Sequence, residues 1–186
     1  MKKAFLLTCL CGLVIAASSV SSCKKSDSTT ATMTLYDSLG GTTMVSDPTA
    51  TGTMIEKGRL GLRSVVDSTI FVIAADTSLS VYFATLLSEV SASPQNLSGF
   101  TALSKNLTDF FCVATGAKNF TYSGKSMSAA HDPSQNSRMG MKADSTAFNH
   151  FVSDLVVGAQ KCGLSNQLIG QVGVVVNSVK SQVVQR

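Results

Sequence analysis

One stretch has the residue types and spacing to do chemistry: Thr121-Tyr122-Ser123-Gly124-Lys125-Ser126-Met127-Ser128-Ala129-Ala130-His131. It holds one of only two histidines in the chain and sets an aromatic ring, a glycine and an ammonium group at fixed offsets before it. A neutral imidazole can offer one ring nitrogen to a metal. A lone histidine is more often an ordinary surface residue, so spacing alone leaves both readings open. The other histidine, His150, follows no such pattern and belongs on a polar or partly exposed helix face.

The elements that must position His131 read as helices. Leu62, Val65, Val66, Thr69, Ile70 and Ile73 recur at three-four spacing and predict a helix over about Lys57 to Ala75. Its many β-branched residues would also suit a strand, but the run is too long for one. Phe100, Leu103, Leu107, Phe110, Phe111 and Ala114 form a second stripe ending at Gly116. After the His131 stretch and a polar loop, Asp144 or Ser145 can cap a helix carrying Phe148, Phe151, Val152, Leu155, Val156 and Ala159, stopped at Gly163. Ser165 then caps a last helix with Leu168, Ile169, Val172, Val175, Val176 and Val179. Before these come a short helical turn at Thr34 to Gly41, a loop from Thr42 to Gly58, an aromatic corner at Val81-Tyr82-Phe83, and a loop from Ala84 to Ser98 with a helical turn at Leu86-Leu87. The sum is an all-α fold of about five substantial helices, with no internal repeat.

Composition fits one domain: 186 residues, 44% hydrophobic and only 14% charged. The formal charge of +4 includes Lys2 and Lys3; without them 13 basic residues stand against 11 acidic ones. No basic block exists, so nucleic acid is not an expected partner. Met1-Lys2-Lys3, an apolar run from Ala4 to Ala17 and a small-residue stretch have the layout of a secretory signal, and the apolar run is short for a bilayer span. Val20-Ser21-Ser22-Cys23 resembles the bacterial lipobox. That resemblance implies a signal peptide over residues 1–22, a lipidated Cys23 with a polar tether over residues 23–33, and a domain over residues 34–186. The membrane is then a partner through the lipid on Cys23, in the bacterial cell envelope outside the cytoplasm. Cys9 and Cys11 leave with the signal, and Cys112 and Cys162 remain as thiols that either pair or stay free. No cysteine and histidine cluster suggests zinc.

In order and spacing, these segments resemble the group 1 truncated haemoglobins, the two-over-two globins. Thr34 to Gly41 looks like that family's opening helix and glycine pair. Val65-Val66-Asp67, Ala75-Asp76 and Leu79 to Phe83 are similar to its second helix and following corner. Phe110 and Gly116 fit the end of its distal helix, Tyr122 to His131 its proximal segment, and Phe148 to Ile169 its last two helices. The resemblance implies a two-over-two helical sandwich with two insertions, roughly Thr42 to Gly61 and Ala84 to Gly99. It implies haem b, with His131 as the iron ligand and Phe83, Phe110, Phe111 and Met127 packed on the porphyrin. Lys125 would pair with a propionate, and Tyr122 would give a hydrogen bond at the same edge. The implied partners are the diatomic gases O2, NO and CO, with an electron donor left unidentified.

The distal side departs from the family. Ile70 stands where a ligand-binding tyrosine is usual, Thr69 replaces the preceding phenylalanine, and Leu103 and Leu107 occupy positions often held by glutamine. A one-residue offset would bring in Phe71, still without a hydroxyl, so Thr69 is the nearest donor on that helix. Asn106 and Lys105 neighbour this stripe and face a propionate or solvent. Ala117 replaces the second glycine after the distal helix. Three function classes remain open: a binder of diatomic gases, an enzyme that removes NO or peroxide, and a structural lipoprotein that has lost haem. An apolar distal side favours the first over the second, because O2 held near iron gains from a hydrogen-bond donor.

Overall fold

The structure, a computed structural model, describes residues 33–186. The expected signal peptide, Cys23 and the tether up to residue 32 lie outside the described residues. In chain order the elements are α1 (Leu35–Ser38), β1 (Met44–Ser46), β2 (Met54–Glu56), α2 (Lys57–Ala75), α3 (Thr77–Ser80), a 3-10 turn (Val81–Phe83), α4 (Ala84–Ser91), α5 (Ser98–Ala114), α6 (Met127–Ala130), α7 (Ser145–Lys161), α8 (Asn166–Ser178) and α9 (Lys180–Val183).

α2 is the central element, packing on α7 along one side and on α5 along another, while α7 also packs on α8. Its apolar stripe is the reason. Leu62, Val65, Val66, Thr69, Ile70 and Ile73 are all buried at three-four spacing. Burial of such a side chain contributes about 1.5–3 kcal/mol, and that overrides the weak helix preference of its β-branched residues. The α2–α7 crossing is close because Gly158 faces Thr69: a Cβ at Gly158 would lie 2.8 Å from the Thr69 backbone nitrogen. Truncating Leu62 to Ala would cost about 2–5 kcal/mol through the cavity it leaves.

The helix ends follow local chemistry. Asp144 caps α7 by accepting the Ala147 N–H at 2.8 Å, and Ser165 caps α8 through Leu168 at 3.4 Å. Asp76 ends α2 and caps α3, accepting the Ser78 N–H at 2.7 Å.

Two stretches expected as loops are structured. Thr42 to Gly58 holds an antiparallel hairpin with Val45 opposite Ile55. Three-residue strands are too short for alternation to register in sequence. What holds the hairpin is burial of Ile55 and the Arg63 guanidinium, which donates to both Asp47 carboxylate oxygens at 2.7 and 3.0 Å. Ala84 to Ser98 begins with the two-turn helix α4, whose Leu86 is buried. The Pro and Asn residues that suggested a loop lie beyond its end, at Pro94 and Asn96.

Candidate functional site: an apolar cavity beside His131

The segment before His131 is shaped by its own short-range bonds. The Tyr122 hydroxyl donates to the Lys125 carbonyl at 2.6 Å. A Cβ at Gly124 would sit 2.6 Å from a Tyr122 ring carbon, so only glycine lets the chain pass under the ring. Ser126 then caps α6, accepting the Ala129 N–H at 3.2 Å. His131 ends this helix, where its ring turns back on the preceding turn. Nδ1 lies 2.8 Å from the Met127 carbonyl oxygen. A carbonyl can only accept, so Nδ1 carries the proton and Nε2 is left as the basic nitrogen. Burial holds the His131 pKa below its ordinary value, against the opposing pull of the Met127 hydrogen bond. The ring is therefore neutral at physiological pH, the form that ligates a metal.

His131 lines a cavity of about 340 Å³. Ile70 and Ile73 of α2, Leu79, Tyr82 and Phe83 of the corner, and Leu103, Leu107, Phe110 and Phe111 of α5 form one part of its wall. Met127 of α6, Phe148 and Phe151 of α7, and Val176 and Val179 of α8 form the rest. Asn106, Lys125, Asn136 and Arg138 add polar groups. Lys125 is exposed as well as cavity-lining, which puts its ammonium at the rim. Arg138 donates to both carboxylate oxygens of Glu89 on α4, at 3.0 and 3.1 Å.

Most of the expected site residues meet on this one wall: Phe83, Phe110, Phe111, Tyr122, Lys125, Met127, His131, Ile70, Leu103 and Leu107. Thr69 does not. It is fully buried at the α2–α7 crossing and its hydroxyl donates to the Val65 carbonyl at 2.8 Å, so it offers the cavity no donor. Tyr122 also departs from expectation, because its proton is engaged by Lys125; its ring packs edge-on against Phe110 with centroids 6.1 Å apart. Phe71 points away from the cavity, exposed against Phe100. Lys105 likewise faces outward: with Arg59 it pairs with the buried Asp109 carboxylate, at 2.6 and 2.7 Å, on the outer side of α5. Burial pushes Asp109 up, but the hydrogen bonds from Lys105 and Arg59 outweigh it and hold the carboxyl below its ordinary range. The Arg59 bond pins α5 to α2 and so helps fix the spacing of two cavity walls, while the Lys105 bond lies within α5. His150 is exposed beside Asp76, as expected of a residue outside the site.

The residues missed in sequence include Tyr82 and Arg138 on the cavity wall, and Asn136 and Gln185, whose amides donate to carbonyls of α6. Each comes from a loop or a chain segment with no periodic pattern, so no local signal marks it.

The chemistry of the cavity suits a flat, largely apolar group with an anionic edge. Its walls are aliphatic and aromatic, its one basic nitrogen is the His131 Nε2, and Lys125 stands at the rim. Truncated haemoglobin from Tetrahymena pyriformis, crystallised in the Fe(III) form, matches the chain with a TM-score of 0.58 at 19% identity, over 83% of this chain and 100% of the other. The fold is that of the truncated globins. A 2/2 hemoglobin from a Synechococcus species, solved in the cyanomet state with covalently attached heme, matches with a TM-score of 0.57 at 22% identity, again over 83% and 100% of the two chains. No family model and no curated protein matches the sequence. The likeness thus lies in the truncated-globin backbone far more than in side-chain identity.

Proposed function

We propose that this chain is a haem protein of the group 1 truncated-globin kind, binding haem b in the cavity beside His131 and taking up O2, NO or CO there. The observation that carries the reading is the state of His131. Its Nδ1 proton is held by the Met127 carbonyl, which leaves Nε2 as a neutral metal-binding nitrogen on the wall of an apolar cavity. Haem bound there would supply an iron centre with affinity for diatomic gases.

The chain's own residues supply the rest. Phe83, Phe110 and Met127 cover apolar surface and exclude water; Phe111 backs Phe110, with ring centroids 5.4 Å apart. Lys125 offers a cation to a propionate. Ile70, Leu103 and Leu107 present hydrocarbon to a gas ligand, so O2 gains no hydrogen bond from them. A hydrogen bond to a group carrying charge contributes roughly 1.5–3 kcal/mol. Without it, O2 is released fast, and CO and NO are favoured over it. Asn106 is the one polar side chain that α2 and α5 bring to the cavity, and so donor-poor a side weighs against an enzyme that turns over NO or peroxide. The same reading takes Cys23 as lipidated and the domain as tethered outside the cytoplasm, on a periplasmic face or at the cell surface; metabolic labelling with a palmitate analogue, with and without Cys23→Ser, would test the lipidation.

The deciding experiment is the visible spectrum of the domain after haem reconstitution. A Soret band that disappears in His131→Ala supports the proposal. Absence of any haem uptake by the wild-type domain would leave a structural lipoprotein with a globin shell.

A further inference from the structure

A helix leaves its last four carbonyls without partners of its own. α6 has only four residues, so its carbonyls must be satisfied from outside. Met127 O accepts the His131 ring N–H at 2.8 Å. Ser128 O accepts two donors, the His131 backbone N–H at 3.3 Å and the Gln185 side-chain amide at 2.7 Å. Ala130 O accepts the Asn136 side-chain amide at 2.7 Å. A helix this short is far below the length that holds together in water. The placement of α6, and with it of the Met127 carbonyl that holds the His131 ring, is therefore set by groups outside α6.

Gln185 is the most remote of these groups, 57 positions along the chain from Ser128. Its own place does not depend on that bond. The Gln185 N–H donates to the Ala143 carbonyl at 2.9 Å, and Val184 bridges the same residue. Next to it the Arg186 guanidinium donates to the Tyr82 hydroxyl at 3.0 Å and to Asp144 at 3.2 Å. The segment after α9 is thus fastened to the cavity corner and to the start of α7, and reaches α6 with the Gln185 amide, which also donates to the Gln182 carbonyl of α9 at 3.1 Å.

We propose that Gln185 is a positioning residue for His131: its amide holds the Ser128 carbonyl, which in turn holds the His131 backbone, and so ties the ring's orientation to the segment after α9. The link is a property of the chain itself; its consequence for iron rests on the haem reading above.

Two variants separate this from a general stabilising role. Gln185→Met keeps side-chain length and loses the donor. Gln185→Glu keeps the shape but sets an acceptor against the Ser128 carbonyl. The first measurement is amide hydrogen exchange in the haem-free full chain. The His131 amide is expected to exchange about threefold to tenfold faster in Gln185→Met, the loss of one ordinary hydrogen bond, and faster still in Gln185→Glu, while amides in the middle of α7 keep their wild-type rates. The second is the iron–imidazole stretching band of the haem-loaded ferrous chain, expected to broaden or move in both variants. Unchanged exchange at His131, or acceleration shared equally by α7, overturns the proposal. So does faster exchange at His131 with an unmoved stretching band. If the wild-type chain takes up no haem, the functional reading fails, and the exchange measurement still decides whether Gln185 holds α6.

Discussion

The two sides of the cavity are built on opposite plans. Around His131 nearly every polar atom has a named partner: Nδ1 with Met127, the backbone N–H with Ser128, Ser128 with Gln185, Ala130 with Asn136, Tyr122 with Lys125. Across the cavity, α2 and α5 offer Ile70, Leu103, Leu107 and Phe110, which pack without directional bonds. The difference follows from what each side must do. A ring nitrogen has to be held in one tautomer and one direction, and only hydrogen bonds with fixed geometry do that. A wall that excludes water needs surface area and close packing, which aliphatic side chains on two long helices provide.

The strongest way to break this contrast is to remove its polar centre. His131→Ala should abolish the Soret band of the reconstituted domain altogether, while far-ultraviolet circular dichroism keeps its helical signal. A Soret band of wild-type intensity in that variant would show that some other group holds the iron.

The next largest effect should come from giving the apolar wall a donor. Leu107→Gln places an amide on the cavity-facing stripe of α5. Its hydrogen bond should slow O2 release from the ferrous protein about tenfold to a hundredfold. CO release should change much less, because bound CO carries little charge. Stopped-flow displacement of O2 by CO measures this, and equal effects on both gases would show that the variant acts through packing.

A smaller effect concerns pH. Burial lowers the His131 pKa in the folded state, so below the ordinary histidine value of about 6.5 the unfolded chain binds the proton more readily. The stability that neutral His131 contributes is present above that value and is lost as pH falls toward the depressed folded pKa. Urea midpoints of the haem-free domain should decline as pH falls below about 6.5, and His131→Gln should flatten that part of the curve. A slope unchanged by the substitution would move the effect to another group.

Smallest of all should be Thr69→Val. Its hydroxyl bonds to the Val65 carbonyl inside the α2–α7 crossing, away from the cavity. Gas binding rates should stay at wild-type values, and thermal stability should fall by no more than about 1 kcal/mol. Altered O2 kinetics in this variant would restore Thr69 to the distal wall.

Much of this was legible in the chain. The long helices α2, α5, α7 and α8 announce themselves because a three-four apolar stripe over a dozen or more residues has no other compact solution. Their caps at Asp144 and Ser165 are equally local, since each needs only one side-chain oxygen and the next turn's N–H. The hairpin at Met44 to Glu56 was read as a loop, and helix α4 only as a helical turn at Leu86-Leu87, because short elements carry too few periods to show a pattern. Their stability comes from partners distant in sequence: Arg63 for the hairpin, and for α4 the burial of Leu86 and the Glu89–Arg138 pair.

His131 itself stood out by sequence, as a rare residue type at the end of a marked segment between apolar helices. Its neighbours across the cavity were also nameable, because a stripe's buried face follows from its period. Which nitrogen of the ring is free was decided only by the tertiary structure, and so was the fact that Thr69 turns its hydroxyl to its own helix. Both depend on where a carbonyl oxygen lies within about 3 Å. Sequence patterns report which residues are buried, through the average cost of exposing hydrocarbon. They do not report the direction of a single hydrogen bond, which is set by the packing of segments as far apart in the chain as Ser128 and Gln185.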